Sequence, residues 1–168
     1  IKLNIYPDGG VARIRIYGSM QIKKEFGKKI INLTSVLNGA TPIACNNEHF
    51  GRAENILAPG TGENMGDGWE TRRSRGKNCD WLILKCATAG KVNKIQIDTH
   101  HFKGNYPDKC SLQAAYLNGK ISSKFIVSKS KKWKLLLKKV KLYAHKKHNF
   151  KNKLMQNHKI NYIRINIF

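Results

Sequence analysis

Short runs in which apolar and polar residues alternate, each closed by a glycine- or proline-bearing turn, limit what this chain can fold into. In Val11-Ala12-Arg13-Ile14-Arg15-Ile16-Tyr17 the two arginines alternate with isoleucines, a period of two that predicts a half-buried strand. Similar runs recur at 81–86, 92–97 and 163–168. Turn signals separate them: Pro7-Asp8-Gly9-Gly10, Asn38-Gly39, Pro59-Gly60, Gly66-Asp67-Gly68, Gly104-Asn105-Tyr106-Pro107 and Asn118-Gly119. Many short strands with little helix predict an all-β chain, an antiparallel β-sandwich with room for one short helix. One stretch reads two ways. Trp133, Leu136, Leu137 and Val140 fall at i, i+3, i+4 and i+7, so 131–147 fits a basic amphipathic helix as well as a strand.

The chain also matches itself. Ile1-Lys2-Leu3-Asn4-Ile5-Tyr6 repeats Ile163-Arg164-Ile165-Asn166-Ile167-Phe168 class for class, and an Asn inside an apolar strand is uncommon. If this is a repeat, the sequence opens on the last strand of one unit and stops at the same point of the next. The absent initiator Met points the same way, to a fragment.

At 168 residues with 40% hydrophobic and 25% charged residues, the chain has the makings of one folded domain rather than a disordered segment. No apolar run approaches the ~20 residues of a membrane-spanning helix, and no secretory leader is visible. Cys45, Cys79, Cys86 and Cys110 form no C-x-x-C pair, so four reduced thiols in a cytoplasmic setting are expected, with the peroxisome as the alternative. The charge is lopsided. Residues 109–168 hold 16 of the 32 Lys and Arg and none of the 10 Asp and Glu. Such a block favours polyanions, but Lys and Asn are abundant throughout, and compositional drift is the favoured explanation.

The acidic residues collect in three clusters: Glu48-His49-Phe50-Gly51, then Met65-Gly66-Asp67-Gly68-Trp69-Glu70-Thr71-Arg72-Arg73 with Asp80-Trp81, then Asp98-Thr99-His100-His101-Phe102-Lys103-Gly104-Asn105-Tyr106-Pro107-Asp108. Each sets carboxylates beside His, Arg or Asn, with glycine and an aromatic nearby, as loops bearing a site on a β scaffold do.

Residues 6–13 (Tyr-Pro-Asp-Gly-Gly-Val-Ala-Arg), 65–73 and 98–107 resemble the signature segments of the allantoicase family, in the family's order. The resemblance covers 1–18 and nearly everything from Ile31 onward. It implies a jelly-roll sandwich similar to galactose-binding domains, and two such repeats per family member. Residues 1–18 would then be the last strands of a preceding repeat, 19–29 a linker, and 30–168 a repeat that is incomplete at its C-terminal end. It also implies hydrolysis of allantoate to ureidoglycolate and urea in purine breakdown. The pattern departs from the family at Lys85–Gly90, in the weaker match of 109–168, and in ending before a second Pro-Asp-Gly-Gly.

Allantoate is a carboxylate carrying two ureido groups. Arg72, Arg73, Arg13 and Arg15 suit its carboxylate, because a guanidinium pairs with two oxygens at once. Asn105, Thr71 and glycine amides suit the ureido groups. Glu70, Asp98, His100, Glu48, His49 and Asp67, with His101, are the candidates for moving protons. Glu70 with Arg72 and Asp98 with His100 are the favoured pairs. A divalent metal would suit His49, Glu48, Asp98 and His100, although no spacing demands one.

Each residue also has a plainer reading. Asp67 suits a tight turn, Asp98 a cap, Trp69 and Trp81 a core or pocket wall, and Arg13 and Arg15 a solubilised edge strand. A strand would send His100 and His101 to opposite faces, and His145, His148 and His158 read as surface residues. Allantoate hydrolysis ranks ahead of a ligand-binding module without turnover. A nucleic-acid binder using 129–153, where Lys interleaves with Trp133, Tyr143 and Phe150, ranks last. The partners expected are the small-molecule substrate and either a second copy or the missing first repeat, with no membrane.

Overall fold

Pairing between the strand-forming runs is antiparallel throughout. The computed structural model describes residues 2–18, 30–73, 79–155 and 158–168. In it, β1 (Thr41–Cys45), β2 (Asp80–Gly90), β3 (Ile95–Asp98), β4 (Lys109–Ala115), β5 (Lys134–Lys141), β6 (Lys147–Phe150) and β7 (Ile160–Ile167) follow in chain order, with one helix, α1 (Ser123–Ser130). Five strands form a sheet in the order β1-β2-β7-β4-β5, and β3 pairs with β6 in a second sheet. This is the antiparallel sandwich the alternating runs predict.

Between the sheets, Cys110, Leu112, Leu136, Leu137, Leu142, Ile160 and Ile163 pack with Ile95 and Phe150. The other face of the large sheet is covered by α1, where Ile126 meets Ile83, Tyr162, Trp81 and Trp133. Strand β7 serves both faces. Ile163, Ile165 and Ile167 point to the inter-sheet core, while Arg164 and Asn166 point to the helix side and are buried there. Arg164 stacks 4.5 Å over Trp81 and donates to Asn166 Oδ1 (2.8 Å) and Ser130 Oγ (2.7 Å). Asn166 in turn donates to Ser111 and Gln113. The Asn in the apolar strand is therefore the acceptor that lets an arginine be buried. Burial, which disfavours the charged form, pulls the Arg164 pKa below its usual value.

Two readings are corrected. Residues 11–17 form no strand: residues 2–18 are exposed throughout, with Ile14 at 58% and Ile16 at 62%. Alternation prepares only one face, and among the described residues no strand pairs with it. Nor is 131–147 a helix. Its helix-like spacing comes from β5, where the register against β4 shifts on both sides of Leu112. Leu136 and Leu137, adjacent in sequence, are consequently both buried. The helix lies just upstream, at 123–130, capped by the Ser122 hydroxyl accepting from the Phe125 amide (3.3 Å). Residues 19–29, read as a linker, lie outside the described residues.

Strand direction gathers the acidic clusters. Cys45 ends β1 opposite Leu82 near the start of β2, Asp80 faces Ile167 at the end of β7, and Lys109 faces Lys141 at the end of β5. The loops after β1, before β2, before β4 and after β5 thus leave from one edge of the large sheet. The loop after β3 joins them, because Asp98 pairs with Lys147 at the start of β6.

Candidate active site

Three loops interlock at that edge. Gly51 bridges Glu70: the Glu70 amide donates to Gly51 O (3.1 Å) and the His49 amide to Glu70 O (2.9 Å). A Cβ on Gly51 would stand 2.1 Å from Gly68 O, so only glycine permits this approach. The Trp69 indole donates to Asn47 O (2.8 Å), and the Arg72 amide to Asn47 Oδ1 (3.4 Å). Gly68 lies against the Phe102 ring, where a Cβ would fall 2.8 Å from Cε2. Asn105 Nδ2 donates to Glu70 Oε1 (2.7 Å). The tryptophan-bearing loop and the double-histidine loop are therefore neighbours.

The sequence-selected side chains fall into two groups. In the first, Arg72 Nε donates to His49 Nδ1 (3.2 Å), which places the His49 proton on Nε2. Glu48 Oε2 accepts from the Ala53 amide (2.9 Å) at the start of the 3₁₀ turn Ala53–Leu57. Glu48, Arg72 and Arg73 line an open hollow of about 860 Å³ together with Cys45, Asn46, Asn47, Cys79 and Asp80. Asn46 is pinned there by Asp80 Oδ1 (2.7 Å) and the Trp81 amide (2.6 Å). Glu70 and Thr71 are half-buried beside this group.

In the second group, Asp98 Oδ1 accepts from the His100 amide (2.9 Å), and Lys147 lies 3.9 Å from its other oxygen. His100 stacks on His145 (4.0 Å between centroids) and meets His101 edge-on (4.5 Å). His100 and His101 occupy a turn beyond β3 rather than a strand, so they share one neighbourhood instead of facing opposite ways. Burial, followed by the charges of His100, Lys103 and His101, holds the His145 pKa below its ordinary value, against Asp98, which raises it.

Other candidates fall elsewhere. Asp67 Oδ2 accepts the Glu63 (2.7 Å) and Asn64 (3.2 Å) amides and closes a capping box around 65–67, which occupies it locally. Arg13 and Arg15 lie in the exposed segment 2–18, which makes no hydrogen bond to the loops among the described residues. His49 and Glu48 sit with Arg72, not with Asp98 and His100. Among the described residues, the group of three or more ligand-type side chains that comes together is His100, His101 and His145. His145 is exposed, as its reading as a surface residue expects, and also belongs to that cluster. His148 is buried, with Nε2 accepting from the Tyr143 amide (2.9 Å) and Nδ1 facing Ile97 O (3.2 Å). Asn46, Asn47 and His145 escape a reading of the sequence because their partners lie 22 to 44 residues away.

The four cysteines are free. Burial pushes the Cys86 thiol up to about 12 and the Cys110 thiol to about 11. Cys45 is also raised, by burial first and then by the Glu48 carboxylate.

The family model described as the allantoicase repeat matches residues 31–168. A probable allantoicase of Burkholderia mallei is 45% identical over 169 residues, 99% of this chain and 50% of its own length. One of Photobacterium profundum is 45% identical over 170 residues, 100% of this chain and 51% of its own. The chain spans about half the length of the curated relatives it matches. The crystal structure of allantoicase from Saccharomyces cerevisiae superposes with TM-score 0.69 at 30% identity, covering 82% of this chain and 39% of that one. The family 32 carbohydrate-binding module of Streptococcus pneumoniae EndoD shares the fold, with TM-score 0.55 at 17% identity over 82% of this chain and 86% of its own. No helix among the described residues is long and apolar enough to cross a membrane.

Proposed function

The chain belongs to the allantoicase family, and from that premise we propose that it serves the hydrolysis of allantoate to ureidoglycolate and urea, in the cytoplasm. The observation that carries this reading is the Glu70 carboxylate, held by Asn105 across two loops, on a residue whose backbone carbonyl accepts from the amide of His49, the partner of Arg72. One Glu70 oxygen is occupied by the Asn105 amide, which leaves the other to take a proton. Arg72 keeps its terminal nitrogens for a carboxylate, because only Nε is spent on His49. Arg73 and Asn46 stand on the same hollow to meet the carboxylate and a ureido carbonyl. His49, its proton on Nε2, is a donor for the leaving urea nitrogen. The reaction adds water across one carbon–nitrogen bond. Glu70 accepts the proton of the attacking water and returns it to the departing urea nitrogen, which the His49 Nε2–H meets with a hydrogen bond.

This reading assigns the proton to Glu70 rather than Asp67, whose carboxylate already holds two backbone amides. It pairs the chain with a second copy or with a preceding repeat. The test is urea release from allantoate, with ureidoglycolate appearing in equal amount. Glu70→Gln is expected to lower turnover at least ~100-fold while thermal unfolding stays within a degree or two of the parent. Activity within a few-fold of the parent would remove Glu70 from this role. Saturable allantoate binding without urea release would favour the ligand-binding module instead.

A further inference from the structure

His101 and His145 are the two non-glycine residues with positive φ among the described residues, at 66° and 49°. Their backbones sit in a region that non-glycine residues seldom occupy, and such conformations collect where side chains must be aimed. Both belong to the three-imidazole cluster, although 44 residues separate them, and the His101 amide donates to His145 Nδ1 (2.9 Å). His101 Nε2 lies 2.9 Å from Gly62 O. A carbonyl only accepts, so Nε2 carries the proton and the lone pair of His101 is on Nδ1. This outer contact, ring N–H to backbone carbonyl, is how metal-binding histidines are oriented.

We propose that His100, His101 and His145 bind a divalent transition-metal ion of the zinc class, with the fourth coordination position open to solvent. One ligand atom from each ring lies within 4.8 Å of the other two. Tetrahedral ligands about 2.0–2.1 Å from zinc stand roughly 3.4 Å apart, so binding requires His100 and His145 to leave their stacked arrangement and turn their ring edges toward one point. His145 must turn its ring to offer a lone pair and so releases the His101 amide. That hydrogen bond is exposed, water takes its place, and the loss is small beside three metal–nitrogen bonds. The three ligands come from the turn after β3 and the turn between β5 and β6. An ion here would tie the two sheets' loops together beside Phe102 and Gly68.

The test is titration of tag-free protein with zinc by calorimetry, and with cobalt by visible absorption, both without allantoate, so that the result is separate from the hydrolase reading. One ion per chain and a tetrahedral cobalt spectrum are expected. His100→Ala and His145→Ala should each weaken zinc binding by at least ~100-fold, more than loss of an outer-shell partner does. His101→Asn removes the imidazole in a residue that tolerates the left-handed backbone, and guards against simple misfolding. His158→Ala should bind as the parent does. Absence of saturable one-to-one binding, or binding within threefold of the parent in both His100→Ala and His145→Ala, would overturn the proposal.

Discussion

Eight of the ten acidic residues lie between 48 and 108, at or near the loop edge, whereas 109–168 carries 16 Lys and Arg and no acid. The two regions hold their charges differently. Around the loops, carboxylates are fixed mainly by neutral donors: Glu48 by the Ala53 amide, Asp67 by two amides, Glu70 by Asn105, Asp80 by Asn46, and Asp98 by the His100 amide. In the basic third, Lys134 and Lys138 of β5 face solvent, Lys139 lies over the Phe168 ring (3.5 Å to its centroid), and the buried cation Arg164 rests on Ser130, Asn166 and Trp81. Ion pairs between the regions are few and exposed, such as Asp108 with Lys109 and Lys141. Charge count alone therefore says little about where chemistry occurs. A carboxylate fixed by uncharged donors keeps its own charge available to a ligand, while a lysine on an exposed strand face needs only water.

Breaking the basic region's scaffold should give the largest effect. Trp81→Ala removes the surface under Arg164 and is expected to cost ~3–5 kcal/mol, read as a large fall in unfolding temperature. A variant as stable as the parent would place Trp81 outside the core. Next, Gly51→Ala should destabilise by ~1–3 kcal/mol, since the new methyl meets Gly68 O at a backbone that cannot yield cheaply. It should also lower urea release more than a scaffold change of equal cost, because the contact holds Glu70 in place. Thiol labelling sharpens the contrast without mutation. At pH 8, Cys79 on the open hollow should react, Cys45, raised by burial and Glu48, more slowly, and Cys86 and Cys110, raised to about 12 and about 11, should stay unmodified until unfolding. The smallest effect belongs to Asp108→Asn. The hydrogen bond from Lys141, then that from Lys109, depresses the folded Asp108 carboxyl pKa, so its small stabilisation exists above the unfolded value of about 3.9. It fades as pH falls through the lower folded value. Unfolding temperatures of parent and variant should converge in acid and in high salt.

Much of the scaffold was legible beforehand. The run at 81–86 lies inside β2, 163–168 overlaps β7 up to Ile167, and the second half of 92–97 falls in β3, because period-two alternation is a local property that each strand carries alone. The repeat of Ile1–Tyr6 in Ile163–Phe168 singled out Asn166, though not why it is there. Its reason, the burial of Arg164 against α1, needs residues from β4 and the helix. The run at 11–17 shows the limit from the other side, since alternation without a pairing strand leaves an exposed segment.

By itself, the sequence determined an antiparallel sandwich, the family, and three loops rich in ionisable groups, since alternation, turn residues and motif order are written in consecutive positions. Only the tertiary structure decided how those loops divide. Glu70 goes with Asn105, Arg72 with His49, and Asp67 with its own turn, while His100 and His101 join His145 across 44 residues. Such partnerships depend on which strand ends share an edge, and hydrogen-bond register fixes that only once the sheets have formed.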